Sequence, residues 1–201
     1  MCSRYELLTD VESIVAGEAL RLPPTDHDAQ KLRTFKGAEI RPTDIAPIVK
    51  PSGQWDMLPW GLAVSWQAQP VINARSETLD QKPTFQPFLS NRCLVPASAY
   101  FEWRAHGRAK IKTRIHLDDE SVMMFAGLIG DGRFTIVTCA PSPAIAHIHD
   151  RMPVILGSMA QDQWLNAHLP FNAIKDILVP HVGHFVTEEL SPPARQGELA
   201  L

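Results

Sequence analysis

The run from Arg108 to Leu117 most restricts what this chain can fold into. Arg108, Lys110, Lys112, Arg114 and His116 occupy even positions, while Ile111, Thr113, Ile115 and Leu117 occupy odd ones. A period of two is the period of a strand. One charged face and one mainly apolar face suit an antiparallel sheet that is wet on one side and packed on the other. Further strand-like runs lie at 58–66, 93–95, 100–103, 122–128 and 134–139. The last two flank Asp131-Gly132, a pair suited to a tight hairpin turn. Helical spacing comes mainly afterwards, at 143–149, 160–167 and 172–178, before a last strand at 184–187. One earlier helix is expected from Val11, Ile14, Val15 and Leu20, capped by Thr9 or Asp10. Between Pro23-Pro24 and Lys50 the pattern is broken and polar, which reads as loop with at most a short strand. Strands followed by helices define an α+β class, with a mainly antiparallel sheet that can roll into a barrel.

The chain has 201 residues, 45% of them hydrophobic, enough for one core without a disulfide or metal staple. It contains no repeat, and its 17 prolines are scattered rather than gathered into a linker. Residues 1–190 therefore read as a single domain and 191–201 as a tail. No apolar run approaches the roughly 18 residues of a membrane span, and no basic-then-apolar leader opens the chain, so a cytoplasmic protein without membrane contact is expected. Cys2, Cys93 and Cys139 form no C-x-x-C pair, which argues against a secreted disulfide framework and a zinc ribbon. A net charge of −3 provides no bulk attraction to nucleic acid, so a DNA-binding role must rest on a local patch. The basic face of the run at 108–117 is such a patch, or simply the wet face of a sheet.

Four segments carry residues capable of chemistry. Loss of Met1 would leave Cys2 as an N-terminal 1,2-aminothiol, whose amine and thiol both titrate near neutral pH and can close together on an aldehyde carbon; otherwise Cys2 is an ordinary terminal residue. If residues 71–75 are extended, Asn73 and Arg75 share a face and could hold a phosphate or polar group, or else the segment is a strand end leading through a Ser76 cap into a helix. Glu102, between Phe101 and Trp103, is either a surface carboxylate or a desolvated one with a raised pKa suited to acid–base work. His147 and His149 with Asp150 suggest metal ligands, but no third or fourth ligand stands at a recognisable spacing, so no metal is expected. A single acid–base histidine with Arg151 beside it as an anion holder reads better, against a solvent-facing histidine cluster.

M-C-x-R-Y at the start, P-W-G-L at 59–62, N-A-R-S-E-T at 73–78, R-C-L-V-P followed by F-E-W, and I-H-D-R-M-P-V-I-L at 148–156 occur in one order. Over residues 2–190 this set resembles the SRAP (SOS response-associated peptidase) family, abasic-site processing proteins that crosslink to single-stranded DNA. The resemblance implies one α+β domain with a twisted, barrel-like, mainly antiparallel sheet flanked by helices. It implies removal of Met1 and capture of a ring-opened abasic-site aldehyde by Cys2 as a thiazolidine. Asn73 would orient the Cys2 amine and the sugar, Glu102 would serve imine formation, and His149 would assist ring opening and crosslink reversal. Arg4, Arg75 and Arg151 would hold phosphates, Pro47, Trp60 and Leu62 would shape the DNA path, and Thr138 would line the site. No cofactor is implied. The expected partner is abasic single-stranded DNA, and the expected state is a monomer, nucleoid-associated if bacterial. Ser3, Asp44 and Phe101 depart from the commoner family residues. A cysteine peptidase and a non-catalytic module for modified DNA are the alternatives.

Overall fold

The computed structural model describes residues 2–8, 35, 38–107, 109–119 and 122–190. In chain order the described elements are β1 (Arg4–Leu7), β2 (Ala38–Ile40), β3 (Ile45–Val49), β4 (Trp55–Pro59), β5 (Asn73–Arg75), β6 (Arg92–Ala97), β7 (Ala99–His106), β8 (Ala109–Leu117), β9 (Met123–Gly130), β10 (Arg133–Cys139), β11 (Met152–Pro153), α1 (Ser158–Leu165), α2 (Phe171–Ile174) and β12 (Phe185–Leu190). Two sheets result. One runs β12-β8-β7-β1-β2, the other β11-β10-β9-β6-β3-β4. Every neighbouring pair on these paths is antiparallel, whereas β5 joins the second sheet by parallel pairing with β10. Neither path closes on itself, so the barrel-like shape takes the form of two open sheets rather than a ring.

Aromatic rings join the two sheets. Tyr5 of β1 and Tyr100 of β7 meet Phe125 of β9 edge-on, with centroids 6.2 and 6.1 Å apart. Trp60 lies 5.2 Å from Tyr5 in the same geometry. Rings so arranged bury large areas and add a favourable edge-to-face term. On α1, Trp164 is buried and donates its indole N–H to the Cys93 carbonyl at 2.9 Å, fastening the helix to β6.

The alternating run forms β8 over the expected residues, with Thr113 and Ile115 buried on its inner face. Two of its cations are answered by carboxylates. Lys112 pairs with Glu39, and Arg114 pairs with Glu6 at 2.6 Å and Glu188 at 3.2 Å. The β9–β10 hairpin turns through Asp131 (φ 49°) and Gly132 (φ 71°), the positive pair that the Asp-Gly dipeptide suggests.

Other expectations need correction. The stretch at 143–149 is a series of turns, in which Ile145 and Ile148 donate to carbonyls three residues back. Both isoleucines are buried, so packing anchors this connection without a helix. The broken stretch ending at Lys50 contains two strands, β2 and β3. The second is carried by pairing with β4 despite Pro47, whose missing N–H marks it as a poor strand former. The strand expected at 58–66 ends at Pro59, because Gly61 turns the chain at φ +112° and leaves only isolated bridges at Trp60 and Leu62. The helix expected near Val11–Leu20 with its cap, and the tail at 191–201, lie outside the described residues. Among the described residues no helix is long and apolar enough to cross a membrane.

Gly61 is required on two counts, its positive φ and the Pro70 Cβ standing 2.6 Å from where its own Cβ would be. Gly61→Ala should cost at least about 2 kcal/mol in a urea titration, from strain plus overpacking. Gly107→Ala, at φ +58° in open space, should cost only about 1 kcal/mol. Equal losses would contradict the crowding at Gly61.

Candidate active site

The antiparallel pairing of β1 with β7 sets Arg4 opposite Phe101 and Tyr5 opposite Tyr100, which carries the start of the chain toward Glu102. The parallel pairing of β5 with β10 sets Asn73 opposite Ile136 and Arg75 opposite Thr138. Ala74 between them is buried, so Asn73 and Arg75 do share the other face. The Asn73 side-chain amide donates to the Cys2 carbonyl at 2.7 Å. No side-chain cap follows at Ser76, which enters a short 3-10 turn, Ser76–Thr78. The Cys2 thiol is fully buried and donates to the Arg4 carbonyl at 3.3 Å. Burial, with the charge of Glu102 adding to it, pushes this thiol far above its ordinary range and keeps it protonated.

Glu102 is 2% exposed, and burial raises its pKa to about 7, with the charge of Asp150 acting in the same direction. The desolvated alternative for this carboxylate is therefore the one realised. Its Oε2 lies 3.7 Å from Nε2 of His149. The other ring nitrogen, Nδ1, accepts the Arg151 backbone N–H at 3.0 Å, which assigns the proton of a neutral ring to Nε2, facing Glu102. Asp150 also approaches Nδ1, at 2.8 Å, a contact that needs a proton on Nδ1, as in the imidazolium or in the other neutral tautomer. Burial lowers the His149 pKa, Lys110 and Arg151 add to the lowering, and Asp150 opposes it, so the neutral ring is favoured.

Glu102 and His149 border a cavity of about 430 Å³ that is also lined by Ser3, Arg4, Trp103 and Lys110, with Cys2 buried next to Ser3 in the chain. Three of the lining residues, Ser3, Trp103 and Lys110, were not singled out in the sequence as site residues. Lys110 was visible as one of the alternating cations, but nothing local showed that the β7–β8 hairpin aims it at Glu102 and His149. Arg4 is bound to Glu39 at 3.1 Å. Arg151 is gripped by Glu77 through both carboxylate oxygens, at 2.6 and 2.9 Å, and also donates to the Thr138 carbonyl at 2.7 Å. That grip holds the Glu77 carboxyl below the usual carboxylate range. Thr138 is buried and meets Arg151, while Arg75 is exposed.

Pro47, Trp60 and Leu62 are buried, so they stand inside the walls of the fold rather than on its surface. Trp60 has its indole N–H donating to the Ile72 carbonyl at 2.9 Å and cannot offer a face to a base. The exposed ring is Trp66, 65% accessible, beside a cavity of about 300 Å³ shared with Leu62, Pro83 and Phe88. It was hidden at the end of a run read as strand. Cys93 and Cys139 are buried free thiols, and burial pushes Cys139 up to about 12. Among the described residues no three His, Cys, Asp or Glu side chains gather as a metal ion would require.

Residues 1–191 match the family model SOS response associated peptidase (SRAP), and the chain belongs to that family. Among its relatives is the abasic site processing protein YoqW of Bacillus subtilis, 39% identical over 196 residues that cover 89% of this chain and 84% of that protein. The abasic site processing protein YedK of Escherichia coli is 32% identical over 120 residues, 55% of this chain and 54% of that one. A crystal structure of a Bacteroides thetaiotaomicron protein shares the fold with a TM-score of 0.79 at 24% identity, covering 94% of this chain and 92% of that one.

The buried carboxyl has a measurable signature. A folded-state pKa of about 7 lies above the ordinary 4.5, so the folded protein holds this proton more tightly than the unfolded chain. That contribution to stability is complete below the ordinary pKa and is lost as pH rises through about 7. Melting curves should show the wild-type Tm falling between about pH 5 and pH 8 by more than that of Glu102→Gln, which has no proton to lose. Parallel curves would mean that Glu102 is not held neutral by its surroundings.

Proposed function

We propose that this chain is an enzyme that processes abasic sites in single-stranded DNA, and that Cys2, exposed by removal of Met1, captures the ring-opened sugar as a thiazolidine. The observation that carries this reading is the fixing of the Cys2 carbonyl by Asn73 beside the Glu102–His149 pair. Membership of the SRAP family and the names of the relatives support abasic-site processing as the coarser statement.

The steps balance with the groups at hand. The neutral amine attacks the aldehyde carbon and one of its protons passes to the aldehyde oxygen; the protonated Glu102 carboxyl then gives its proton to the departing hydroxyl, releasing water and leaving an iminium ion beside the Glu102 carboxylate. The thiol sulfur then bonds to the same carbon, closing the five-membered ring, and its proton passes to the Glu102 carboxylate, which regains the proton it gave. A carboxyl poised near neutral pH suits both directions of this proton traffic. A neutral His149 can give its Nε2 proton to the furanose ring oxygen as the ring opens, and then take up the proton that the anomeric hydroxyl releases. An abasic sugar has no base to unstack, so a narrow cleft admits it more cheaply than a whole nucleotide. Phosphates would be met by Arg75 and Lys110, and flanking bases by stacking on Trp66.

The peptidase alternative is less well supported. A cysteine nucleophile needs a thiolate with a base beside it, whereas burial keeps the Cys2 thiol protonated and its hydrogen bond goes to the Arg4 carbonyl.

Incubation of the protein with an abasic single-stranded oligonucleotide should give a shifted band that survives denaturing electrophoresis. Cys2→Ala should abolish it, and Cys2→Ser, which keeps the amine but lacks sulfur, should yield only a borohydride-trapped species. A wild-type protein that gives no band, or a stable untrapped adduct from Cys2→Ser, would refute the ring-closing chemistry. Separately, Trp66→Ala should weaken binding of intact single-stranded DNA by about 1–3 kcal/mol in a fluorescence anisotropy titration. An unchanged Kd would remove Trp66 from the DNA path.

A further inference from the structure

The described residues include one charged contact that joins two separate sequence motifs without itself reaching the reactive cavity. Glu77 belongs to the N-A-R-S-E-T segment and Arg151 to the segment that carries His149. The Glu77 carboxylate takes the Arg151 guanidinium in a two-pronged grip, Oε1 on one terminal nitrogen at 2.6 Å and Oε2 on the other at 2.9 Å. The second of those nitrogens also reaches the Thr138 carbonyl at 2.7 Å and its hydroxyl at 3.4 Å. Such a fork fixes a guanidinium in direction as well as distance. The backbone of the same residue then performs a different task, since its N–H is the donor to Nδ1 of His149 at 3.0 Å. Holding the side chain at its far end holds the amide at its near end.

We propose that Glu77 is a positioning residue for His149. Gripping Arg151 keeps the Arg151 amide aimed at Nδ1 and so keeps the imidazole proton on Nε2, toward Glu102. Without the grip, Thr138 alone would hold the guanidinium from one side. Nδ1, which the Asp150 carboxylate already approaches to 2.8 Å, would then take the ring proton in place of Nε2 and withdraw it from the cavity. Glu77 is itself about half exposed, at 49%, and Arg151 covers it on one side only, so its replacement removes a fork rather than a core side chain. Its carboxylate also occupies the guanidinium face that a phosphate would otherwise take. In the free protein this assigns Arg151 to holding His149, and leaves Arg75 and Lys110 as the exposed cations nearest to the two motifs.

The inference rests on the thiazolidine reading for its kinetic consequence but not for its structural one, and two measurements keep them apart. Nitrogen NMR of the His149 ring should show the Nε2–H tautomer in the wild type and a mixture of both in Glu77→Ala, with Glu77→Gln, which keeps one acceptor oxygen, in between. Crosslinking to abasic single-stranded DNA should slow roughly tenfold or more in Glu77→Ala, since about 1 Å of misplacement can cost about 100-fold. The same substitution should have no further effect in a His149→Ala background, the non-additivity expected when one residue acts through another. Melting curves of all variants confirm that each is folded. An unchanged tautomer in Glu77→Ala, or equal slowing with and without His149, would overturn the proposal. A wild-type protein that forms no crosslink would instead sink the thiazolidine chemistry, while the ring signal still decides what Glu77 does.

Discussion

The hydrogen bond from the Asn73 amide to the Cys2 carbonyl ties the first residues of the chain to a strand 71 positions away. A chain terminus is ordinarily among the least ordered parts of a fold, because few contacts repay the entropy of fixing it. Here β1 enters the five-stranded sheet almost at once, flanked by β7 and β2, and Tyr5 locks it to the aromatic layer between the sheets. A reactive terminal residue needs both conditions. The strand brings the terminus to the cavity, and the amide sets the direction in which it leaves the strand. Asn73 can serve because β5 runs parallel to β10, which turns one edge of the second sheet toward the end of the first.

Several of the charges among the described residues are paired, and that pairing separates residues that hold the structure from residues able to meet a polyanion. The long cations of β8 and β1 are answered by Glu39, Glu6 and Glu188, and Arg104 of β7 by Glu189. Exposed pairs of this kind contribute little to stability, about 0–1 kcal/mol each. They nonetheless reduce the local positive potential, in keeping with a chain whose total charge is negative. The basic stripe so conspicuous in the sequence is thus largely the neutralised side of a sheet. Affinity for single strands would depend on a few unpaired cations and on stacking, a combination that tolerates any base sequence.

What could be read from the sequence follows from the range of the interactions involved. The strand at 109–117 and the turn at Asp131-Gly132 were legible because alternation and positive φ act between adjacent residues. Cys2, Asn73, Glu102 and His149 could be named from their motifs and do stand around one site. Their states could not be read. Whether Glu102 was a surface group or a desolvated acid depended on strands far away in the chain, and so did the burial of Trp60. The turns at 143–149 imitated a helix because Ile145 and Ile148 sit three apart, which suits a helix face and a packed turn equally. β3 went unseen because a proline in mid-strand argues against pairing until a full partner strand supplies it. Glu77 carried no local signal at all, since its meaning lies in an arginine 74 positions away.

The pairing of Glu102 with His149 carries one more step. Two titratable groups stand 3.7 Å apart, Glu102 with its pKa raised to about 7 and His149 with its pKa lowered. Burial drives both shifts, because it penalises the charged form of each group, and it leaves a neutral acid beside a neutral base. Aminothiol condensation requires this situation. It consumes one proton when water leaves and returns one when sulfur adds, with no net change, so a buried carboxyl that can give a proton and take it back can serve these steps without exchange with solvent. A thiolate-based peptidase requires the opposite arrangement, a stable ion pair between sulfur and imidazolium, which the same burial would disfavour. The desolvation that keeps the Cys2 thiol unreactive as an anion is therefore compatible with the proposed use of its sulfur as the second, ring-closing nucleophile, because by then the iminium carbon is electrophilic enough to accept a neutral sulfur whose proton moves to the Glu102 carboxylate.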